Sequence, residues 1–220
     1  FARTFAKTGE IGYAEPLLEA GKGVVHPRSM TTAGDRVVPV GFLGLVVMYG
    51  SLGKIFGPYA ILFFTPIIAV LSAWLLYRFL REIFPWRVAA LSGTLLLIHP
   101  AYWYYASRGM LPNVLFLDLL ILAALLLVRA YRTQGSLLYL CGGVVVGLAL
   151  TVRLSEALWV FAALLLTAVL HLGRRFFSVA LLFVLGCALP LFGLFALNTS
   201  VYGHPFIFGY KSTDTYESVA

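Results

Sequence analysis

Arg153 and Glu156 stand three residues apart in the stretch "GLALTVRLSEAL", between two long apolar runs. On a helical turn that spacing sets a guanidinium beside a carboxylate, and pairing lowers the cost of holding either near a membrane. A second arginine, Arg108, lies in "HPAYWYYASRGMLPN", which runs from His99 to Asn113. A guanidinium matches phosphate oxygens two at a time, so the chemistry these residues offer is phosphate recognition at a membrane edge. Each also has a plainer reading. Arg108 can snorkel to headgroups from the end of its span, and Asn113 can cap the apolar helix that follows it. Arg153 and Glu156 can form a structural ion pair; in the phosphate reading Glu156 orients the arginine. Asp118, about one turn into the helix after Asn113, sits where the helix dipole favours an acid and reads as structural or secondary.

Two further candidates come from polar segments. His26 follows a glycine-rich stretch and precedes Pro27, and Lys211 lies in the polar tail. A lone loop histidine is more often solvated than catalytic or metal-bound. Asn198-Thr-Ser is a glycosylation sequon that abuts an apolar run. The chain has no P-loop, His-Glu-x-x-His, Gly-x-Ser-x-Gly or Cys-x-x-Cys motif, no row of gating arginines and no paired buried acids. That weighs against an ATPase, an intramembrane protease, a voltage sensor and a proton-coupled pump. Cys141 and Cys187 fall inside apolar runs and read as small buried hydrophobes.

The elements that must position these residues are membrane helices. The 220 residues are 61% hydrophobic and 11% charged, with mean hydropathy +0.93, whereas a soluble domain carries about 25% charged residues. The apolar runs are continuous and roughly 18–22 residues long, the length of a spanning helix and not of barrel strands. The fold expected is therefore an all-α integral membrane protein, a polytopic bundle of about six transmembrane helices. Spans are expected near 60–77, 88–105, 113–130, 136–153, 155–172 and 177–197. The net charge of +7 lies in short loops between spans. Membrane topology explains it, and nucleic acid is not an expected partner. Loops 78–87, 129–135 and 172–176 hold seven arginines (78, 81, 87, 129, 132, 174 and 175) against one acid, Glu82. The positive-inside rule places them in the cytoplasm and places 1–36, 106–112 and 199–220 outside the cell membrane.

The chain then divides into an outer-face loop with juxtamembrane helices (1–59), a transmembrane bundle (60–198) and the start of an outer-face loop (199–220). Phe1, Ala2, Phe5 and Ala6 form a stripe that predicts a short interfacial helix ending at Gly9, followed by loop. Residues 37–57 are apolar but broken by glycines and Pro39, which favours an interfacial segment over a span. Tyr102, Trp103, Tyr104 and Tyr105 form an aromatic belt at the interface. The start at Phe1 and the end in "TDTYESVA" suggest a fragment of a longer protein.

These segments, in order, resemble the GT-C class of membrane glycosyltransferases, which includes the family 39 protein O-mannosyltransferases and the lipid A aminoarabinose transferases. "FARTFAKTGEIGYAEP" resembles their first outer loop, with its amphipathic "A…A.TG" helix. Pro39 through Gly57 is similar to their juxtamembrane "P…L…Y…L.K.FG" piece. "HPAYWYYASRGMLPN" resembles their second outer loop, "GLALTVRLSEAL" a span end, and "NTSVYGHPFIFGY" a segment after a later span. The resemblance implies transfer of a sugar from a polyprenyl-phosphate carrier to a lipid, glycan or protein acceptor on the outer face. An acid of the first outer loop would act as base, and cationic groups would stabilise the departing phosphate. That acid is expected before Phe1. Glu10 and Glu15 are not clean matches, and Asn113 stands where some relatives have Asp. The donor- and phosphate-binding residues expected are Arg108, Asn113, Arg153, Glu156 and Lys211, with His26 further back. No cofactor is assigned; a divalent metal stays open. Membrane lipids are the remaining partners. The rival readings are a non-catalytic subunit of the same fold and a transporter or lipid flippase. The last needs polar groups near the bilayer midplane, where the spans at 60–77 and 155–172 offer only Thr65, Ser72 and Thr167.

Overall fold

The computed structural model describes residues 1–16, 30–33, 36–171, 173 and 176–207. His26 and Lys211 lie outside them. The chain is a helical membrane protein. It forms two compact units, one of Phe1–Ile61 with the segment from Gly193 onward, the other of Leu62–Phe192.

In the first unit, α1 (Ala2–Thr8) is the expected short helix. It stops at Gly9, whose φ of 81° is the left-handed conformation that glycine adopts without strain. Beyond it the structure departs from the expected loop. Residues Tyr13–Ala14 (β1), Met30–Ala33 (β2) and Arg36–Pro39 (β3) form a small antiparallel sheet with β3 in the centre. Short strands with no clean alternation give little sequence signal, and their partners are set by the fold. Helix α2 (Leu43–Phe56) packs on α1. A Cβ placed on Gly50 would come within 2.6 Å of the Phe5 ring, so the glycine is what allows the approach. At 14 residues α2 is about 21 Å long, short of a hydrocarbon core about 30 Å thick. Ile11, Leu43, Val46 and Leu194 form the core, with Phe1, Phe5 and Tyr202 packed against it. The Tyr202 hydroxyl donates to Pro39 O at 2.6 Å.

The second unit holds the bundle. Its helices are α3 (Ile61–Arg81, all but its first residue), α4 (Trp86–Ile98), α5 (Pro100–Ala106), α6 (Pro112–Thr133), α7 (Ser136–Val152), α8 (Ala157–His171, after a 3₁₀ turn at Leu154–Glu156) and the first part of α9 (Phe176–Tyr202). Each of the six expected spans falls mainly on helix among the described residues. Among the described residues four helical segments are long and apolar enough to cross a membrane: Ile61–Arg81, Pro112–Thr133, Leu154–His171 and Phe176–Tyr202. The expected span at 88–105 is broken. His99 is extended (φ −66°, ψ 123°), because the ring of Pro100 clashes with a helical residue before it, and α5 restarts at that proline. Helix α9 runs past the expected end of its span and carries Asn198 into the interior, 1% exposed, so a glycan on the sequon is sterically excluded.

Helices α3 and α6 run parallel, as three polar contacts in register show. Thr65 meets Met110 just before α6, Ser72 meets Asp118, and Glu82 meets Arg129. Helix α7 returns after a tight turn at Gln134. It then touches α9 backbone to backbone. A Cβ on Gly143 would lie 2.2 Å from Phe183 O, one on Gly147 2.6 Å from Cys187 O, and one on Gly186 2.2 Å from Leu140 O. Without a hydrophobic drive between helices in lipid, close approach of small residues is how membrane helices gain packing energy.

Candidate functional site

Helix α6 begins at Pro112, whose fixed φ and missing N–H suit the first helical position. Leu111 is therefore the residue before the helix, and Asn113 falls inside the first turn instead of capping it. No side chain caps this end. The Asn113 amide is thereby available elsewhere, and its Oδ1 accepts a hydrogen bond of 2.5 Å from Arg153 Nη1. Arg153 stands where α7 ends: its N–H closes the last turn on Ala149 O, while its own φ of −141° leaves the helix.

The i, i+3 pair read from the sequence forms here, with Arg153 Nη2 2.7 Å from Glu156 Oε1. The second carboxylate oxygen accepts from Trp159 Nε1. The Trp159 ring meets Phe116 edge to face at 6.4 Å, and the Arg153 guanidinium carbon lies 5.9 Å from the Phe116 centroid. Two polar contacts and one aromatic face thus hold one arginine, with Trp159 packed behind both Glu156 and Phe116. Its side chain is 30% exposed and that of Glu156 25%, yet Arg153 Nε is buried and has no hydrogen-bond partner among the described residues. Five N–H donors with two engaged leave an unsatisfied edge, and a buried donor left unmatched is costly.

An apolar cavity of about 1110 Å³ runs along α8 from Ala157 to His171. Ile83, Leu127 and Tyr131 line it toward the Glu82 end of the bundle, and Asn113, Arg153 and Glu156 are not part of its lining. Its apolar walls suit a hydrocarbon chain.

Arg108 does not join the cluster through any hydrogen bond or ion pair among the described residues. It is exposed, and its guanidinium stacks 4.2 Å from the Tyr104 ring centroid. Stacking leaves the edge of a guanidinium free to meet oxygens. The structure thus brings together Asn113, Arg153 and Glu156 and leaves Arg108 on the neighbouring turn. Among the described residues no three His, Cys, Asp or Glu side chains gather closely enough to hold a metal ion.

The sequence reads Asp118 as structural or secondary and Thr65 and Ser72 only as polar groups inside a span, and it does not foretell their contacts. All three are buried, at 0%, 0% and 6% exposure. Ser72 Oγ donates to Asp118 Oδ1 at 3.0 Å. The signal was present in the spacing, since Thr65 and Ser72 lie seven residues apart and so share a helix face.

The model of the dolichyl-phosphate-mannose-protein mannosyltransferase family matches residues 51–196. No curated protein and no solved structure matches the chain.

Proposed function

Since the chain belongs to the dolichyl-phosphate-mannose-protein mannosyltransferase family, a family of membrane glycosyltransferases that use lipid-linked sugars, we propose that it transfers a sugar from a polyprenyl-phosphate carrier to a lipid, glycan or protein acceptor on the extracytoplasmic face of the cell membrane. The observation that carries this reading is the buried Arg153 Nε that has no partner among the described residues, on the turn before a helix that lines an apolar cavity. A lipid phosphate needs both features: donors for its oxygens and an apolar path for its chain. In the reaction an acceptor hydroxyl gives its proton to the carboxylate base expected in the first outer loop, its oxygen attacks the anomeric carbon, and the bond from that carbon to the phosphate oxygen breaks. The lipid phosphate leaves with the electron pair. Arg153, held by Asn113 and Glu156, supplies charge-assisted hydrogen bonds where this negative charge grows, and Arg108 adds a second cation from the adjoining turn.

The test is transfer of radiolabelled mannose from polyprenyl-phosphate mannose by the full chain in detergent. Wild type is expected to consume the donor. Arg108→Ala is expected to abolish transfer and leave membrane insertion intact, and wild-type turnover by that variant would remove Arg108 from the phosphate site.

A further inference from the structure

The turn that carries Arg108 contains a strained residue. Met110 has φ 61°, the left-handed region that a side chain makes costly. Strain of this kind persists only where the surroundings impose it. What holds Met110 is Thr65, whose Oγ1 accepts the Met110 N–H at 3.0 Å. Thr65 is fully buried and belongs to a short ridge on α3. One helical turn on, Ala69 O accepts the Tyr102 hydroxyl of α5 at 3.0 Å, and a further turn on, Ser72 meets Asp118 of α6. One face of α3 thus grips, in order, the Arg108–Asn113 turn, the helix before it and the helix after it.

We infer that Thr65 is a positioning residue for donor binding: its hydroxyl latches the strained Met110 turn and so sets where Arg108 and Asn113 stand. The inference rests on the donor-binding reading given above. It assigns Thr65 no contact with substrate.

The experiment compares wild type, Thr65→Val, Thr65→Ser and the double variant Thr65→Val/Met110→Gly, each as purified full chain in detergent. The first readout is trypsin cleavage after Arg108, seen as the fragment that begins at Gly109. Loss of one hydrogen bond that holds a turn is worth about a fivefold change in the open population. Thr65→Val is expected to be cut about fivefold faster. Thr65→Ser, which keeps the hydroxyl, restores protection. So does the double variant, because glycine takes the left-handed conformation without strain; a misfolded protein would not be rescued this way. The second readout is the KM for polyprenyl-phosphate mannose, expected to rise by a similar factor in Thr65→Val with kcat little changed. Cleavage of Thr65→Val at the wild-type rate overturns the latch. Faster cleavage with an unchanged KM overturns the positioning role. If wild type transfers no sugar, the donor-binding reading falls and the positioning role falls with it, while the cleavage rates still show whether the latch exists.

Discussion

Two arginine–glutamate groups occupy opposite ends of α6, and they are built differently. At the Glu82 end one carboxylate serves two arginines, Arg129 at 2.8 Å and Arg132 at 3.3 Å, with the arginine side chains 37% and 56% exposed. Solvent can reach the donors this group leaves over, and such pairs contribute little. At the Arg153 end one arginine is held by an amide, a carboxylate and an aromatic face, and still keeps a buried donor without a partner. The same two residue types thus make a solvent-exposed tie at one end and a partly buried cluster with an unmatched donor at the other.

The largest difference expected between the two ends is in sugar transfer. Arg153→Ala should lower sugar transfer by about 100-fold, the scale of losing a preorganised donor to developing charge. Arg132→Ala should leave transfer within about twofold, as fits an exposed pair. Equal losses in the two variants, measured as initial rates at saturating donor, would erase the distinction.

A smaller effect concerns the packing that holds this end of the bundle. Gly143→Ala would drive a methyl group against Phe183 O, 2.2 Å from the new Cβ, whereas a Cβ on Gly193 meets nothing within 4 Å. Overpacking of that kind costs about 1–3 kcal/mol. Thermal unfolding in detergent should fall by several degrees for Gly143→Ala, and Gly193→Ala should hold or rise slightly because alanine is the better helix former.

The smallest effect is a pH dependence at the tie. The hydrogen bond from Arg129, aided by the charges of Arg129, Arg132 and Arg78, holds the Glu82 carboxyl below its ordinary value of 4.5. A carboxyl with a depressed value in the folded state stabilises the fold above its unfolded value. That contribution is lost as pH falls below about 4.5 and through the lower folded value. The Glu82→Gln variant should therefore lose less stability than wild type between pH 6 and pH 3 on the same thermal scan, by a modest margin given the exposure of the arginines. An identical pH response in both proteins would show that the tie contributes nothing.

The sequence made the helices legible because twenty-residue apolar runs have few alternatives in a membrane. It also made the Arg153–Glu156 pair legible, since three residues of separation is a local geometry. Other parts were hidden for a physical reason. Asn113 finds its partner 40 residues away and Thr65 its partner 45 away, and no spacing rule reaches that far. The capping role expected of Asn113 failed on a signal that was in view, because Pro112 already occupies the first helical position. Strands β1 and β2 read as loop from the sequence, and most of β3 as the start of an interfacial segment, because β1 is two residues long and the others four, too short to carry a period. Thr65 and Ser72 were weighed as polar groups of a transport path. Both are spent inside the bundle on contacts between its segments.

The most direct test is the binding of polyprenyl phosphate, without sugar, to the purified full chain, followed by displacement of a fluorescent analogue at fixed ionic strength. The expected result is saturable binding by wild type, at least tenfold weaker in Arg153→Ala and unchanged in Arg132→Ala. Equal affinity in wild type and Arg153→Ala would contradict the assignment of the Arg153 end as the phosphate receptor.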